Sequence, residues 1–120
     1  MGFTKTILLP GNGKDSPRPG DTVILEYRGC LYDKTKGDNY FMGTQFDTSK
    51  HRGPLKTEIG VGAVIKGLDE GVQQMFPGEK AILTISSDYG YGTQGFPGLI
   101  PADSVLVFEV ELKKIIGRGA

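Results

Sequence analysis

At 120 residues the chain is long enough to build one domain with a real core and too short for a second. Fourteen basic residues balance fourteen acidic ones, which excludes the positive footprint that nucleic acids or anionic membranes select. The single Cys30 cannot form an internal disulfide and points to a reducing compartment, the cytoplasm, while nineteen glycines and seven prolines point to many tight turns and a sheet-rich fold.

The first expected element is a strand from Phe3 to Leu9. The same stretch begins Met1-Gly2-Phe3-Thr4-Lys5-Thr6, which also fits an N-myristoylation pattern. No basic cluster or second lipid site accompanies it, so the strand is the simpler account. No early apolar run reads as a signal peptide or membrane span, and the Gly-Arg-Gly-Ala end carries no retrieval signal.

Turn signals follow at Pro10-Gly11-Asn12-Gly13 and Pro17-Arg18-Pro19-Gly20. In the next segment Val23, Leu25, Tyr27 and Leu31 share one face, and Thr22, Glu26 and Arg28 take the other. His51 lies between Lys50 and Arg52 in a polar stretch and reads as solvated. Leu68, Val72 and Met75 fall at helical spacing and predict one short helix over Lys66 to Met75, which Pro77 ends. Ala81, Leu83 and Ile85 return to period two. Alternation is clearest at the end, where Leu106, Phe108, Val110 and Leu112 oppose Val107, Glu109, Glu111 and Lys113, predicting one buried and one wet face. The class is α+β, an antiparallel sheet packed on one short helix.

Few motifs carry covalent chemistry. Gly90-Tyr91-Gly92-Thr93-Gln94-Gly95 spells a dinucleotide fingerprint, but Phe96-Pro97-Gly98 follows, where a helix would have to start. One histidine and one thiol assemble neither a histidine-based triad nor a zinc cluster. What remains is a supply of aromatics beside sparse polar groups: Phe46 before Asp47, Tyr91 in a glycine-rich turn, and Phe108 facing inward. Taken singly these suit ordinary core packing.

Their order changes that judgement. Tyr27-x-Gly29, Phe46-Asp47-Thr48-Ser49, the run from Gly62 to Val72, Gly78-Glu79-Lys80-Ala81, Asp88-Tyr89-Gly90-Tyr91-Gly92, Gly95 to Pro101, and Leu106 to Leu112 stand in sequence from about Thr4 to Ile115. This series closely resembles the FKBP family of peptidyl-prolyl isomerases. The resemblance implies one isomerase domain over residues 1–120, a half-open antiparallel sheet wrapped around the short helix, without metal or cofactor. It assigns Asp47 and Tyr91 to catalysis. It assigns Tyr27, Phe46, Arg52, Leu55, Ala63, Val64, Ile65, Leu68, Phe96, Ile100 and Phe108 to substrate and macrolide binding. The Ile65 N–H and Tyr91 hydroxyl would donate to substrate carbonyls.

Implied partners are proline-containing peptides and proteins, tacrolimus and rapamycin, with drug-dependent capture of calcineurin or TOR kinase by a mostly monomeric cytoplasmic protein. Three features depart from the family pattern. Leu68 stands where the pocket floor is typically Trp. Leu55 stands where an aromatic is common, after a loop one residue shorter. Lys34 to Gln45 enlarge a turn that is usually only a few residues long.

The chemistry asks for no bond to substrate. Amide rotation is opposed by ~18–20 kcal/mol of barrier, and X–Pro bonds exchange over roughly tens to hundreds of seconds. A twisted amide loses resonance and charge separation, so an apolar wall of Tyr27, Phe46, Val64, Ile65 and Phe108 would disfavour the planar form relative to water. Asp47 has two readings: it orients the rotating carbonyl, or it accepts hydrogen bonds from Tyr27 and Arg52 and sets the pocket's shape. Two other classes stay open beside the isomerase. One is a proline-binding module with little turnover, favoured by Leu68; the other is a scaffold surface on the insertion, whose Tyr40-Phe41-Met42 run either faces partners or folds back on the sheet.

Overall fold

The computed structural model describes residues 2–117. Met1 of the acylation pattern and the last three residues of the Gly-Arg-Gly-Ala end lie outside the described residues. Among these residues six strands and one α-helix follow in chain order, besides two single 3-10 turns: β1 (Phe3–Leu9), β2 (Thr22–Tyr32), β3 (Met42–Thr48), β4 (Leu55–Glu58), α1 (Lys66–Val72), β5 (Lys80–Ile85) and β6 (Leu106–Gly117). All pairings are antiparallel, in the order β1-β5-β6-β2-β3, with β4 also on β2. The sheet is open and carries its one helix on the concave face, as the alternating strands and the single helical stripe predict.

The far edge of β2 is shared. Thr22 to Leu25 pair with β4, and Arg28 to Tyr32 pair with β3. The turn between β3 and β4 closes the gap: Ser49 donates its N–H to the Tyr27 carbonyl at 2.9 Å, and its Oγ accepts the Tyr27 N–H at 3.0 Å. That junction lies under the candidate site.

A seven-residue helix has little stability of its own. Leu68, Val72 and Met75 are all buried, each worth roughly 1.5–3 kcal/mol relative to exposure. Gly67 and Gly71 form a second stripe, and a Cβ at either would stand 2.5 Å from Ile85 or 2.8 Å from Leu83. The helix therefore touches β5 through bare backbone. It ends three residues before the expected Met75, because Gln74 and Met75 donate to Gly71 and Val72 in tighter i→i+3 bonds. Pro77 bars further winding.

The expectation of a wet outer face is corrected at one place. Cys30, Ile82 and Val107 form a small buried cluster there, covered by Met42. Their strands run through the middle of the sheet, and the insertion supplies the lid. So Val107, expected wet, is fully buried, and Met42 folds back while Tyr40 and Phe41 stay exposed, Phe41 stacked on Tyr32 at 5.1 Å. Residues 42–45, expected as part of a loop, belong to β3. The alternation of β6 also breaks. Lys113 has no partner between the Leu25–Leu112 and Ile24–Lys114 pairs, and this bulge returns Ile115 to the core side.

Beneath the helix's end, Glu79 is 1% exposed and accepts the Lys5 ammonium at 2.8 Å and the Phe76 N–H at 3.1 Å. This pair ties β1 to the turn after α1. At the start of the chain, the Gly2 N–H donates to Ser86 Oγ at 2.7 Å and the Gly2 carbonyl accepts the Ser86 N–H at 2.9 Å. Gly2 is buried as an integral part of the fold, the arrangement the strand reading requires.

Candidate active site

On the concave face lies a cavity of ≈ 320 Å³ lined by Tyr27, Phe46, Asp47, Leu55, Ala63, Val64, Ile65, Leu68, Tyr91 and Phe108. Each structural element contributes by position. Tyr27 is the inward residue of β2 at the β3–β4 junction, and Phe46 comes from β3 beside it. Leu55 opens β4, the segment before α1 brings Ala63 to Ile65, and Leu68 in the first turn of α1 makes the floor.

The aromatic wall is built on Gly29. Phe108 pairs with Gly29 across β2 and β6, and a Cβ at Gly29 would stand 2.6 Å from the Phe108 ring and 2.9 Å from Phe46. The missing side chain lets Phe46 meet Phe108 edge-on, centroids 5.6 Å apart at 81°, with Tyr27 tilted at 6.2 Å. Sequence reading placed Gly29 in a motif without giving it a role; the pairing across strands supplies one.

Polar groups gather at one side. Tyr27 Oη donates to Asp47 Oδ2 at 2.8 Å, and the Thr48 N–H donates to Asp47 Oδ1 at 2.9 Å. Arg52 Nη2 donates to Asp47 Oδ1 at 2.6 Å and to Tyr27 Oη at 2.7 Å. Both carboxylate oxygens of Asp47 are thus occupied. The pair is not sequestered, since the Asp47 side chain is 40% exposed and that of Arg52 62%. An ion pair in such contact with water is worth about 0–1 kcal/mol, so its contribution is geometric more than energetic.

The two donors that the resemblance assigned to substrate have no protein partner. Neither the Tyr91 hydroxyl nor the Ile65 N–H makes a hydrogen bond among the described residues, and both residues line the cavity. Burial is the main reason the Tyr91 phenol is pushed above its ordinary range, with the Asp47 charge adding to it. The Tyr27 phenol is also raised, first by burial and then by its bond to Asp47, with Arg52 opposing. Both stay protonated, and so remain donors, throughout the neutral range.

Of the thirteen residues the resemblance assigned, ten line the cavity; Arg52, Phe96 and Ile100 do not. Arg52 reaches the cavity's edge only through its bonds to Asp47 and Tyr27. Phe96 meets Tyr91 edge-on at 6.0 Å from an exposed position outside, and Ile100 is buried in the main core, bridged to Phe96 across a turn. No helix begins at Phe96, so the glycine fingerprint has no phosphate cradle behind it. His51 is exposed, as expected. A larger hollow of ≈ 590 Å³ lies between Lys14 to Arg18 and Lys113 to Ile115, but charged side chains dominate its lining. It lacks the wall a proline ring needs.

An open antiparallel sheet around one α-helix, with an aromatic cavity beside the Tyr91 hydroxyl and Ile65 N–H, is the architecture that the resemblance implied. The profile of the FKBP-type peptidyl-prolyl cis-trans isomerases matches residues 13–113. The chain is similar to FK506-binding protein 1B of Emericella nidulans, 74% identical over 92% of each chain. It is also similar to FK506-binding protein 1B of Aspergillus fumigatus, 60% identical over 99% of this chain and 98% of the other. A peptidyl-prolyl cis-trans isomerase of Schizosaccharomyces pombe is 50% identical over the whole of both. The chain belongs to the FKBP family and is a peptidyl-prolyl cis-trans isomerase. The enzyme reading therefore displaces the module of little turnover and the scaffold as the principal activity. No helix among the described residues is long and apolar enough to cross a membrane.

Proposed function

We propose that the ≈ 320 Å³ cavity is the isomerase's active site, in one domain over residues 1–120, and that it turns X–Pro bonds in peptides and unfolded proteins. The observation that carries the reading is an apolar wall facing two unpartnered donors, the Ile65 N–H and Tyr91 hydroxyl. The proline ring sits on Leu68 between Phe46, Val64 and Phe108. The donors hold the carbonyls on either side, so the chain's ends stay fixed while the bond between them turns. Burial of the planar amide removes the water that stabilises its charge separation; the twisted amide has less charge to lose. Asp47 serves through shape. With its oxygens engaged by Tyr27, Thr48 and Arg52, it holds the Tyr27 ring against the wall.

The same cavity takes the macrolides tacrolimus and rapamycin, whose six-membered ring stands in for proline; relatives named for FK506 binding support this. A drug complex would present the exposed Phe96, edge-on to Tyr91 of the cavity, as part of a surface for calcineurin or TOR kinase. The balanced charge and single unpaired, buried Cys30 support a mostly monomeric enzyme of the cytoplasm. The test is prolyl isomerisation of a short Leu-Pro peptide with and without tacrolimus. Catalysis that a stoichiometric dose abolishes is expected. Catalysis indifferent to the drug would put the active site elsewhere.

A further inference from the structure

The wall made by Ala63, Val64 and Ile65 belongs to no strand or helix, yet the cavity depends on it. Its position traces to one side chain that the reading of the sequence did not single out. Asp69, in α1 next to the floor residue Leu68, is buried. Its Oδ1 accepts the Gly60 N–H at 2.7 Å and its Oδ2 accepts the Gly62 N–H at 2.9 Å. Its own N–H donates to the Ile65 carbonyl at 2.9 Å. One residue thus holds both ends of the wall segment, and these are charge-assisted bonds in a water-poor place. Further back, the Ile59 carbonyl accepts the Gly20 N–H at 2.8 Å, which anchors the strand end but leaves residues 61–65 to Asp69.

We infer that Asp69 is a positioning residue for prolyl isomerisation, setting the distance between the Leu68 floor and the Val64–Ile65 wall and keeping the Ile65 N–H aimed at substrate. The inference rests on the active-site reading above. An Asn at this position has one acceptor oxygen, and its NH2 would oppose a backbone N–H. One wall bond is then lost while the side-chain volume stays the same.

The experiment compares wild type with Asp69→Asn, Asp69→Glu and Ile82→Ala, the last cutting the outer cluster far from the cavity. Each is assayed for kcat/KM on a Leu-Pro peptide well below its melting midpoint, and the Gly60 and Gly62 amide protons are followed by NMR. Asp69→Asn should lose roughly three- to tenfold in kcat/KM, a part of the roughly ten- to hundredfold that one charge-assisted bond spans, with the remainder falling on stability. At least one of the two glycine amide protons should move upfield in that variant. Ile82→Ala should keep wild-type kcat/KM at a comparable loss of melting temperature, and Asp69→Glu, with both acceptors, should recover most of the activity.

Wild-type kcat/KM in Asp69→Asn would overturn the inference, as would a loss matched by Ile82→Ala at equal destabilisation. If Asp69→Asn does not fold, Asp69→Glu decides: displaced Gly60 and Gly62 resonances with undiminished kcat/KM would equally overturn it. An inactive wild type would instead overturn the active-site reading and leave the Gly60 and Gly62 resonances to report on Asp69 alone.

Discussion

The two faces of the sheet solve the same packing problem in opposite ways. On the outer face Cys30, Ile82, Val107 and Met42 close on one another, and charged neighbours cover them, with Arg28 donating to Glu109 at 3.1 Å and to the Met42 sulfur at 3.6 Å. Burial there leaves the Cys30 thiol raised above its ordinary range and unreactive. On the inner face Phe46, Phe108 and Leu68 stop short of closing, and the Tyr91 hydroxyl and Ile65 N–H are left without protein partners. A closed cluster contributes stability alone. An unclosed one gives up some of that stability for open apolar space, which on the proposed reading a proline ring fills.

The sharpest way to break this comparison is a pair of truncations. Met42→Ala opens the outer cluster and should destabilise the fold by about 2–4 kcal/mol, read by urea denaturation, with kcat/KM unchanged. Phe46→Ala opens the inner wall and should do the reverse: a loss in kcat/KM of more than about tenfold with a smaller stability change, because the ring is already half-exposed. If the two variants behave alike, the faces are not functionally distinct. The same logic limits any loop excision. Replacing 34–40 should spare both functions, whereas a cut reaching Met42 removes the outer lid.

The floor offers a smaller, constructive test. Leu68 is buried, yet leaves room above it within the ≈ 320 Å³ cavity. An indole that added 40–60 Å² of contact would contribute about 1–1.5 kcal/mol at ~25 cal/mol per Å², so Leu68→Trp should tighten macrolide binding up to tenfold in calorimetry. Weaker binding would mean that the ring overpacks the floor.

Removing one of the two unspent donors should cost less. Tyr91→Phe is expected to weaken drug binding and catalysis by about 0.5–1.5 kcal/mol, one neutral hydrogen bond, and unchanged affinity would remove Tyr91 from substrate binding.

The mildest effect is spectroscopic. The Tyr27 and Tyr91 phenols are raised above 10.0 in the fold, chiefly by burial. The native state then holds protons that the unfolded state releases, so their contribution is full below pH 10 and is lost as pH rises through the folded values. Absorbance titration should show late-ionising phenols that disappear in Tyr27→Phe and Tyr91→Phe. A full complement of early phenols would contradict the burial of the rings.

Local periodicity and motif order determined a great deal without help. The strand from Phe3 to Leu9, the alternation of Leu106 to Leu112 and the helical stripe of Leu68, Val72 and Met75 follow from side-chain type at short spacing, because burial of one face imposes that spacing. The ten cavity residues came instead from the family resemblance that the order of the motifs carries. What only the tertiary structure decided lies in contacts between residues far apart in the chain. Gly29 matters because Phe108 crosses it from β6, and Val107 is buried because Met42 arrives from the insertion. Asp47 proves half-exposed and fully hydrogen-bonded because the Ser49 turn brings Arg52 back over it. Asp69, one acid among many by its letter, finds Gly60 and Gly62 only when the helix docks. Periodicity records which face a residue turns to the core; it carries no record of which distant atom waits there.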